Sequence, residues 1–195
     1  SSGVRGLVNI DLTPQLACKV GLAVATYSKA KRAVVGRDTR VSGPMLEDAL
    51  VSGLTAAGAN VSLLGVVPTP AVAYLTRELG ADVGFMLTAS HNPPQYNGIK
   101  VFDSETLSYS DQSQNWVERI IDGSNFGLVD WHKIGKAQDI DASEQYINML
   151  KNSVKLSKKW RIVVDPGCGA THSVAAFALN ALGCKTTAIN AQPDG

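Results

Sequence analysis

The sequence predicts an α/β protein with a mixed, mainly parallel sheet sandwiched by helices, followed by the start of a second, similar α/β domain. Strand-like and helix-like segments alternate along the chain, which is typical of parallel βαβ units. Of the 195 residues, 45% are hydrophobic and 18% are charged, which is enough apolar material for a core. The alternation starts again near Ile162. We therefore place a first domain at residues 1–140, and a linker helix with the incomplete start of a second domain at residues 141–195.

The elements of the first domain follow from spacing and capping signals. Thr13 is a good N-cap and Pro14 suits the first helical position, so a helix is predicted over residues 13–27. The next elements are a strand at 33–35, a helix from about 44 that ends at Gly58, a strand at 61–64, a helix from Pro68 to Leu79, strands at 83–87 and 99–102, and a helix over 108–121. We expect Trp116, Ile120 and Ile121 on the core side of this last helix.

The second half is predicted to begin with a connecting region at 123–142 and a linker helix at 143–154. A strand at 162–164, a helix at 171–182 and a strand at 186–189 then start the second domain. The chain begins without methionine and ends in a turn sequence after a strand-like segment, so we interpret it as a fragment.

The composition narrows the classes of partner. A formal net charge of +1 provides no bulk field for nucleic acid or an anionic membrane, and we expect neither partner. No run of about 18 apolar residues is present to span a bilayer. The three cysteines are widely spaced and form no metal-ligand pattern, which favours a reducing cytosol, so a cytoplasmic location is predicted. The sequence does not specify an oligomeric state.

Chemistry-bearing residues concentrate in the segment 88–100, directly after a buried strand, where open α/β sheets place their ligands. The segment contains the hydroxyl of Ser90, the imidazole of His91 and the amine of Lys100. Pro93 and Pro94 stiffen the backbone, and a fixed serine suits in-line phosphoryl transfer. From composition alone, an ordinary polar surface turn remains an equal alternative.

The run Thr88-Ala89-Ser90-His91-Asn92-Pro93, followed by Asn97-Gly98-Ile99-Lys100, resembles the α-D-phosphohexomutase family. That family includes phosphoglucomutase, phosphomannomutase and phosphoglucosamine mutase. Three further motifs match in the family's order: Ser2-Gly3-Val4-Arg5-Gly6, Gly36-Arg37-Asp38-Thr39-Arg40 with Ser42-Gly43 after it, and Gly65-Val66-Val67-Pro68-Thr69-Pro70. The resemblance covers nearly the whole chain.

The resemblance implies a mechanism in which Ser90 is a phosphoserine. Ser90 would donate its phosphoryl group to a hexose phosphate, giving a bisphosphorylated sugar, and would take back the other phosphate, so that phosphate moves between C1 and C6. A Mg²⁺ ion would bind Ser90 through its phosphate together with three aspartates that lie outside these residues. A hexose 1,6-bisphosphate would act as activator.

Roles for the neighbouring residues follow from their own chemistry and, for Lys100 and Arg5, also from the family comparison. His91 would move protons or orient phosphate, although a hydrolase-like Ser–His pair is not expected because adjacent residues seldom face one another. Lys100 and Arg5 are general acid/base candidates, and Arg5 also suits a bidentate phosphate contact. The remaining candidates either bind substrate or phosphate or support the site: Arg37, Asp38, Arg40 and Asn92. Support is the favoured role, in which Arg37, Asp38 and Arg40 would form a buried salt-bridge network under the loop of residues 88–97 (the serine loop), and Asn92 would shape the turn.

Departures from the family pattern leave alternatives open. The aspartate-rich metal loop, the Gly-Glu-x-Ser-Gly-His loop and the Arg-x-Ser-Gly-Thr loop are absent from the sequence, so we expect the fragment alone to be inactive. Glucose, mannose and glucosamine phosphates therefore remain equally open as substrates. The segment 163–169 is also similar to a methyltransferase cofactor motif, but too few residues follow it for that sheet. A non-catalytic α/β binding module is the other alternative.

Overall fold

The computed structural model describes residues 3–194 and confirms the predicted α/β fold. The elements up to Ser153 are β1 (Val4–Leu7), α1 (Pro14–Ser28), β2 (Arg32–Arg37), α2 (Gly43–Ala56), β3 (Asn60–Val66), α3 (Thr69–Glu78), β4 (Val83–Leu87), β5 (Tyr96–Asp103), α4 (Asp111–Gly123), β6 (Ala137–Asp139) and α5 (Ser143–Ser153). After these come β7 (Arg161–Val164), α6 (Ala175–Ala181) and β8 (Lys185–Ala188). Across residues 3–194, every helix is too short or too polar to cross a lipid bilayer.

The first helix begins and ends where its local chemistry requires. Thr13 Oγ1 accepts a hydrogen bond from the amide of Leu16 at 3.2 Å, and Pro14 occupies the first turn. At the other end, Lys29 takes a left-handed conformation with φ 54°, and its amide donates to the carbonyl of Ala25. The predicted cap and start of α1 are therefore confirmed.

Strand order determines which loops meet. The six-stranded sheet has the order β1-β5-β4-β2-β3-β6. Strands β2, β3, β4 and β6 run parallel to their neighbours in this group, whereas β5 runs antiparallel to both β1 and β4. Arg37 at the end of β2 is paired with Leu87 at the end of β4. The loops that follow these two central strands therefore leave the sheet side by side.

Both faces of the sheet are covered, which gives three layers. One core cluster lies between the sheet and helices α1, α2 and α4 and includes Val35 and Phe85. The other lies between the sheet and helices α3 and α5 and includes Val34 and Met86. Consecutive residues of β2 and β4 thus enter opposite cores, because strand side chains alternate between faces. The buried stretches of these strands, residues 33–35 and 83–87, lack the polar alternation of a half-exposed strand for this reason.

Three strands differ from the sequence expectation. Residues 4–7 form the edge strand β1, which was not predicted because Val4 and Arg5 are both exposed and do not alternate in burial. β5 begins at Tyr96, three residues earlier than predicted, because Asn97 and Gly98 pair with β1 despite their low strand propensity. The expected connecting region contains β6, whose three residues are all exposed.

Of the three side chains of α4 that were predicted to face the core, one does not. Trp116 is 48% exposed, and the guanidinium of Arg119 lies over its ring at 5.2 Å. Val117 is buried instead, and Ile120 and Ile121 pack against the core as expected. Val117, Ile120 and Ile121 follow the i, i+3, i+4 spacing of one helix face, which leaves Trp116 on the solvent side.

The segment after α5 forms a separate parallel strand pair. β7 and β8 pair with each other, and α6 packs against β8. α6 begins at Ala175 rather than Thr171, because residues 167–174 form turns in which Gly167 and Cys168 have φ of 58° and 55°. Val174 at the end of these turns joins the core cluster of α3 and α5. The domain boundary near residue 140 remains a prediction.

Candidate active site

The candidate active site is an open cavity of about 630 Å³ at the carboxyl ends of the parallel strands. Its walls come from the loops after β2 (residues 38–41), β3 (68–69) and β4 (88–94), and from the turn after β7 (167–170). Ligands of open α/β sheets bind at this end of the strands because the loops there diverge to opposite faces. The cavity therefore lies where the sequence predicted a ligand site.

Ser90 lies exposed at this cavity, three residues after β4. Its φ is 59°, in the left-handed region that residues with a Cβ seldom adopt. The strain costs on the order of 1–2 kcal/mol and persists only where the surroundings impose it. The amide of Asn92 donates to the carbonyl of Ala89 at 3.1 Å and closes a tight turn around the serine.

A hydroxyl–carboxylate contact lies directly behind Ser90. The hydroxyl of Thr88 is 2.6 Å from Oδ2 of Asp38, and the amide of Ser90 donates to that same hydroxyl at 2.9 Å. The amide of Asp38 in turn donates to the carbonyl of Leu87 at 3.0 Å. The loop after β2 is therefore bonded to the start of the serine loop.

Arg40 holds the serine loop through hydrogen bonds to its main chain. Its Nε donates to Asp38 at 3.1 Å, and its two terminal nitrogens donate to four main-chain carbonyls at 2.8–2.9 Å. The four carbonyls belong to Ser90, Asn92, Pro93 and Tyr96. Five guanidinium donors are thus occupied within the protein. Arg40 is therefore placed to support the loop rather than to bind a phosphate.

The predicted network of Arg37, Asp38 and Arg40 is divided into two separate pairs. Arg37 does not join Asp38; its Nε donates to Glu47 of α2 at 2.9 Å. Burial raises the pKa of Glu47, against the opposing effect of the Arg37 hydrogen bond. Arg37 faces α2 because it is still part of β2, whereas Asp38 and Arg40 belong to the loop beyond the strand.

His91 is closer to the serine hydroxyl than expected. Its Nδ1 lies 3.4 Å from Oγ of Ser90, although neighbouring side chains seldom face one another. The left-handed backbone at Ser90 accounts for this, because it turns the side chain away from the extended alternation. The two side chains therefore face one another, although the contact is long for a hydrogen bond. That they form no hydrolase-like pair stays a prediction.

Lys100 and Arg5 lie beside the cavity and not in its lining. Lys100 is paired with Met86, which lines the cavity, and Arg5 is paired with Gly98 two residues before Lys100. Directly opposed antiparallel residues share a sheet face, so both cations project on the face of Met86. Partial burial lowers the pKa of Lys100, and the charge of Arg5 lowers it further.

Two asparagines have different surroundings. Asn92 contributes its main chain to the turn and to Arg40, as expected for a residue that shapes the loop. Asn97 is fully buried; its side-chain amide donates to the hydroxyl of Ser42 at 2.9 Å and its carbonyl accepts from the amide of Gly98. Asn97 thus ties the start of β5, where the serine loop ends, to the N-cap residue of α2.

No role was predicted for Thr88, and the turn at Gly167 and Gly169 was considered only as part of a methyltransferase-like cofactor motif. Thr88 opens the most specific motif, and its position two residues before the serine was the available signal. For the turn, the signal was the glycine pair directly after β7, since strand ends bear ligand sites. Only the tertiary structure brings that turn to the cavity of Ser90.

A complete magnesium site is not formed by this part of the chain. Within residues 3–194, no three His, Cys, Asp or Glu side chains converge as metal ligands. Both oxygens of Asp38 already accept hydrogen bonds from Thr88 or Arg40. The described residues therefore do not fit a resident metal by themselves.

The fold and this loop define an α/β domain whose site is a strained serine at a strand end. A family model described as phosphoglucomutase/phosphomannomutase, alpha/beta/alpha domain I, matches residues 1–127. A "Probable phosphoglucosamine mutase" of Pyrococcus abyssi is 42% identical over 195 residues, covering 100% of this chain and 43% of that protein. One of Methanosarcina acetivorans with the same description is 45% identical over 196 residues, covering 100% and 44%.

The crystal structure of a phosphoglucomutase/phosphomannomutase family protein from Burkholderia thailandensis superposes with a TM-score of 0.83 at 31% identity. The superposition covers 98% of this chain and 43% of that one. This chain therefore belongs to the phosphoglucomutase/phosphomannomutase family, as its motifs predicted. It spans less than half the length of the curated relatives it matches.

Proposed function

We propose that the protein to which this chain belongs is a phosphohexomutase, and that Ser90 carries the phosphoryl group it transfers. The phosphoryl group would pass from Ser90 to a hexose phosphate, and the other phosphate of the resulting bisphosphate would return to Ser90. Phosphate thereby moves between C1 and C6 of the sugar. This chain would supply the phosphoserine loop, and the rest of the protein would supply further groups.

The observation that carries the proposal is the conformation of Ser90. Its hydroxyl is exposed at a cavity, while its backbone is strained and bonded through both its amide and its carbonyl. A surface turn serine has no need of such constraint. In-line transfer does need it, because the attacking oxygen, phosphorus and leaving oxygen must align.

Proton movement is assigned to the cations beside the loop. When the phosphorylated serine donates to a sugar hydroxyl, that hydroxyl loses a proton, and the Ser90 oxygen released from phosphorus gains one. Lys100 suits the acceptor role because its lowered pKa increases the neutral fraction at a given pH. Arg5 keeps its charge and is available to a phosphate oxygen. His91, 3.4 Å from the hydroxyl, would orient the phosphoryl group or share in its proton transfer.

The cofactors of this proposal come from the family resemblance alone. A Mg²⁺ ion would neutralise charge on the transferring phosphoryl group, with Ser90 as a ligand through its phosphate and carboxylates from elsewhere in the protein. A hexose 1,6-bisphosphate would restore the phosphoserine after loss of its phosphate. A cytoplasmic location belongs to the same proposal.

The first test is phosphate transfer to the full-length protein. Incubation with hexose 1,6-bisphosphate is expected to add one phosphate, located at Ser90 by mass spectrometry. The names of the relatives favour glucosamine phosphates, so kcat/KM should be higher for glucosamine phosphate than for glucose or mannose phosphates. A protein that binds hexose phosphate but never becomes labelled or turns it over would instead be the non-catalytic module.

The proposed proton acceptor predicts a titration shift. Replacing Arg5 by Gln removes a positive neighbour that disfavours the protonated amine, so the pKa of Lys100 should rise. If neutral Lys100 accepts the proton, the rise of kcat with pH should move to higher pH in the same variant. An NMR titration of the Lys100 ε-carbon measures the first effect independently of activity.

Arg119→Gln is the matched control, since Arg119 is an exposed cation on α4. It should leave both the Lys100 titration and the pH profile unchanged. An unshifted titration in Arg5→Gln would show that Arg5 does not act on Lys100. A shifted titration with an unshifted profile would remove Lys100 from the proton-transfer step.

A further inference from the structure

We infer that Thr88 is a positioning residue for Ser90: its hydroxyl links the Asp38 carboxylate to the Ser90 amide and so fixes the backbone that presents the serine hydroxyl. This inference rests on the proposed role of Ser90 as phosphoryl carrier. It gives Thr88 a role distinct from those of His91 and Lys100, because Thr88 would act through Ser90 and not on the substrate.

The direction of each hydrogen bond follows from the chemistry of the groups. An ionised carboxylate can only accept, so the Thr88 hydroxyl donates its single proton to Asp38 at 2.6 Å. The oxygen of Thr88 is then free to accept, and the amide of Ser90 donates to it at 2.9 Å. Thr88 is 4% exposed, so water has little access to replace either bond. The three groups therefore form an ordered relay with one arrangement of protons.

Ser90 has need of this relay because its side chain provides no packing to hold it. The residue is exposed, and its φ of 59° is unfavourable for a residue with a Cβ. Its carbonyl is held by Arg40 and its amide by Thr88, so both main-chain polar groups are bonded to side chains. Removal of the Thr88 hydroxyl leaves the Ser90 amide without its hydrogen-bond partner. The serine then loses its anchor on the side where the chain arrives from β4.

Asp38 makes the relay sensitive to substitution. Its Oδ2 accepts from Thr88 and from Nε of Arg40, and its Oδ1 accepts from the amide of Arg40. The side-chain NH₂ of an asparagine at this position would face either the amide or the Nε of Arg40. Both are hydrogen-bond donors, so one hydrogen bond is lost in either orientation of the side chain. Asp38→Asn therefore disturbs the relay while leaving the Thr88 hydroxyl in place.

The experiment compares threonine variants of the full-length protein. Thr88→Val keeps the shape of the side chain and removes the hydroxyl, whereas Thr88→Ser keeps the hydroxyl. A misplaced serine should lower kcat on the order of 10²-fold in Thr88→Val, with KM little changed, because a displacement of about 1 Å costs this much in transfer rate. Thr88→Ser should recover most of that loss.

The matched control is Thr76→Val. Thr76 is also buried, but its hydroxyl donates to the carbonyl of Val72 within α3, away from the cavity. Thermal unfolding of each variant reports stability separately from rate. A merely structural role for Thr88 would lower the unfolding temperature of Thr88→Val and leave kcat of the remaining folded protein close to wild type.

The outcomes separate this inference from the proposed function. If the wild type is never phosphorylated at Ser90, the proposed function fails. If the wild type is phosphorylated and Thr88→Val reacts at the same rate, only the inference about Thr88 fails. Should Thr88→Val not fold, Asp38→Asn takes its place, and an undiminished kcat there would overturn the inference. In the double variant that combines Thr88→Val with Asp38→Asn, the loss of kcat should be smaller than the product of the two single losses, because both substitutions disrupt the same relay.

Discussion

Replacing Ser90 by Ala is expected to abolish phosphate incorporation and to lower mutase turnover of the full-length protein by at least about four orders of magnitude. Alanine has no atom that can carry the phosphoryl group, so the loss falls on the chemical step and not on binding. Hexose phosphate should still bind. Mass spectrometry after incubation with hexose 1,6-bisphosphate, together with kcat, measures the effect.

Ser104→Ala is the matched control for this substitution. Ser104 is an exposed serine in the loop after β5, and its hydroxyl is outside the cavity of Ser90. It should retain wild-type phosphorylation and turnover. Undiminished turnover in Ser90→Ala would place the phosphoryl carrier elsewhere in the protein and overturn the proposed function.

The second large effect is expected from Arg40→Lys. Lysine provides at most three donors on a compact ammonium, so it cannot bond to four carbonyls and Asp38 at once. We expect the free energy of unfolding to fall by about 2–4 kcal/mol, because partly buried acceptors lose their donor. We also expect kcat to fall on the order of 10²-fold, because the serine loop is no longer held.

Urea unfolding and steady-state turnover measure these two effects. Arg119→Lys is the matched control, since it replaces an exposed arginine whose guanidinium lies over Trp116. Its stability and turnover should remain near wild type. Arg40→Lys with wild-type stability and turnover would show that the serine loop holds its conformation without the guanidinium.

Local signals predicted the regular elements well, and missed those that depend on a partner. α1 was found because Thr13 and Pro14 specify its start within a few residues of chain. β1 and β6 were missed because each is short and begins with exposed residues, and each acquires strand geometry only by pairing with β5 or β3. The exposed position of Trp116 was missed because tertiary packing decides which face of α4 contacts the core, and Trp116 lies on the opposite face.

The sequence alone determined the fold class, the family and the loop that contains Ser90, because these depend on the order of residues in short segments. Only the tertiary structure decided what holds that serine. Thr88, Asp38 and Arg40 lie up to 56 residues from the atoms they bond, and hydrogen bonds across such separations form only after β2 and β4 have paired. A linear motif identifies the groups that are present, whereas their distances and protonation follow from the folded neighbours that surround them.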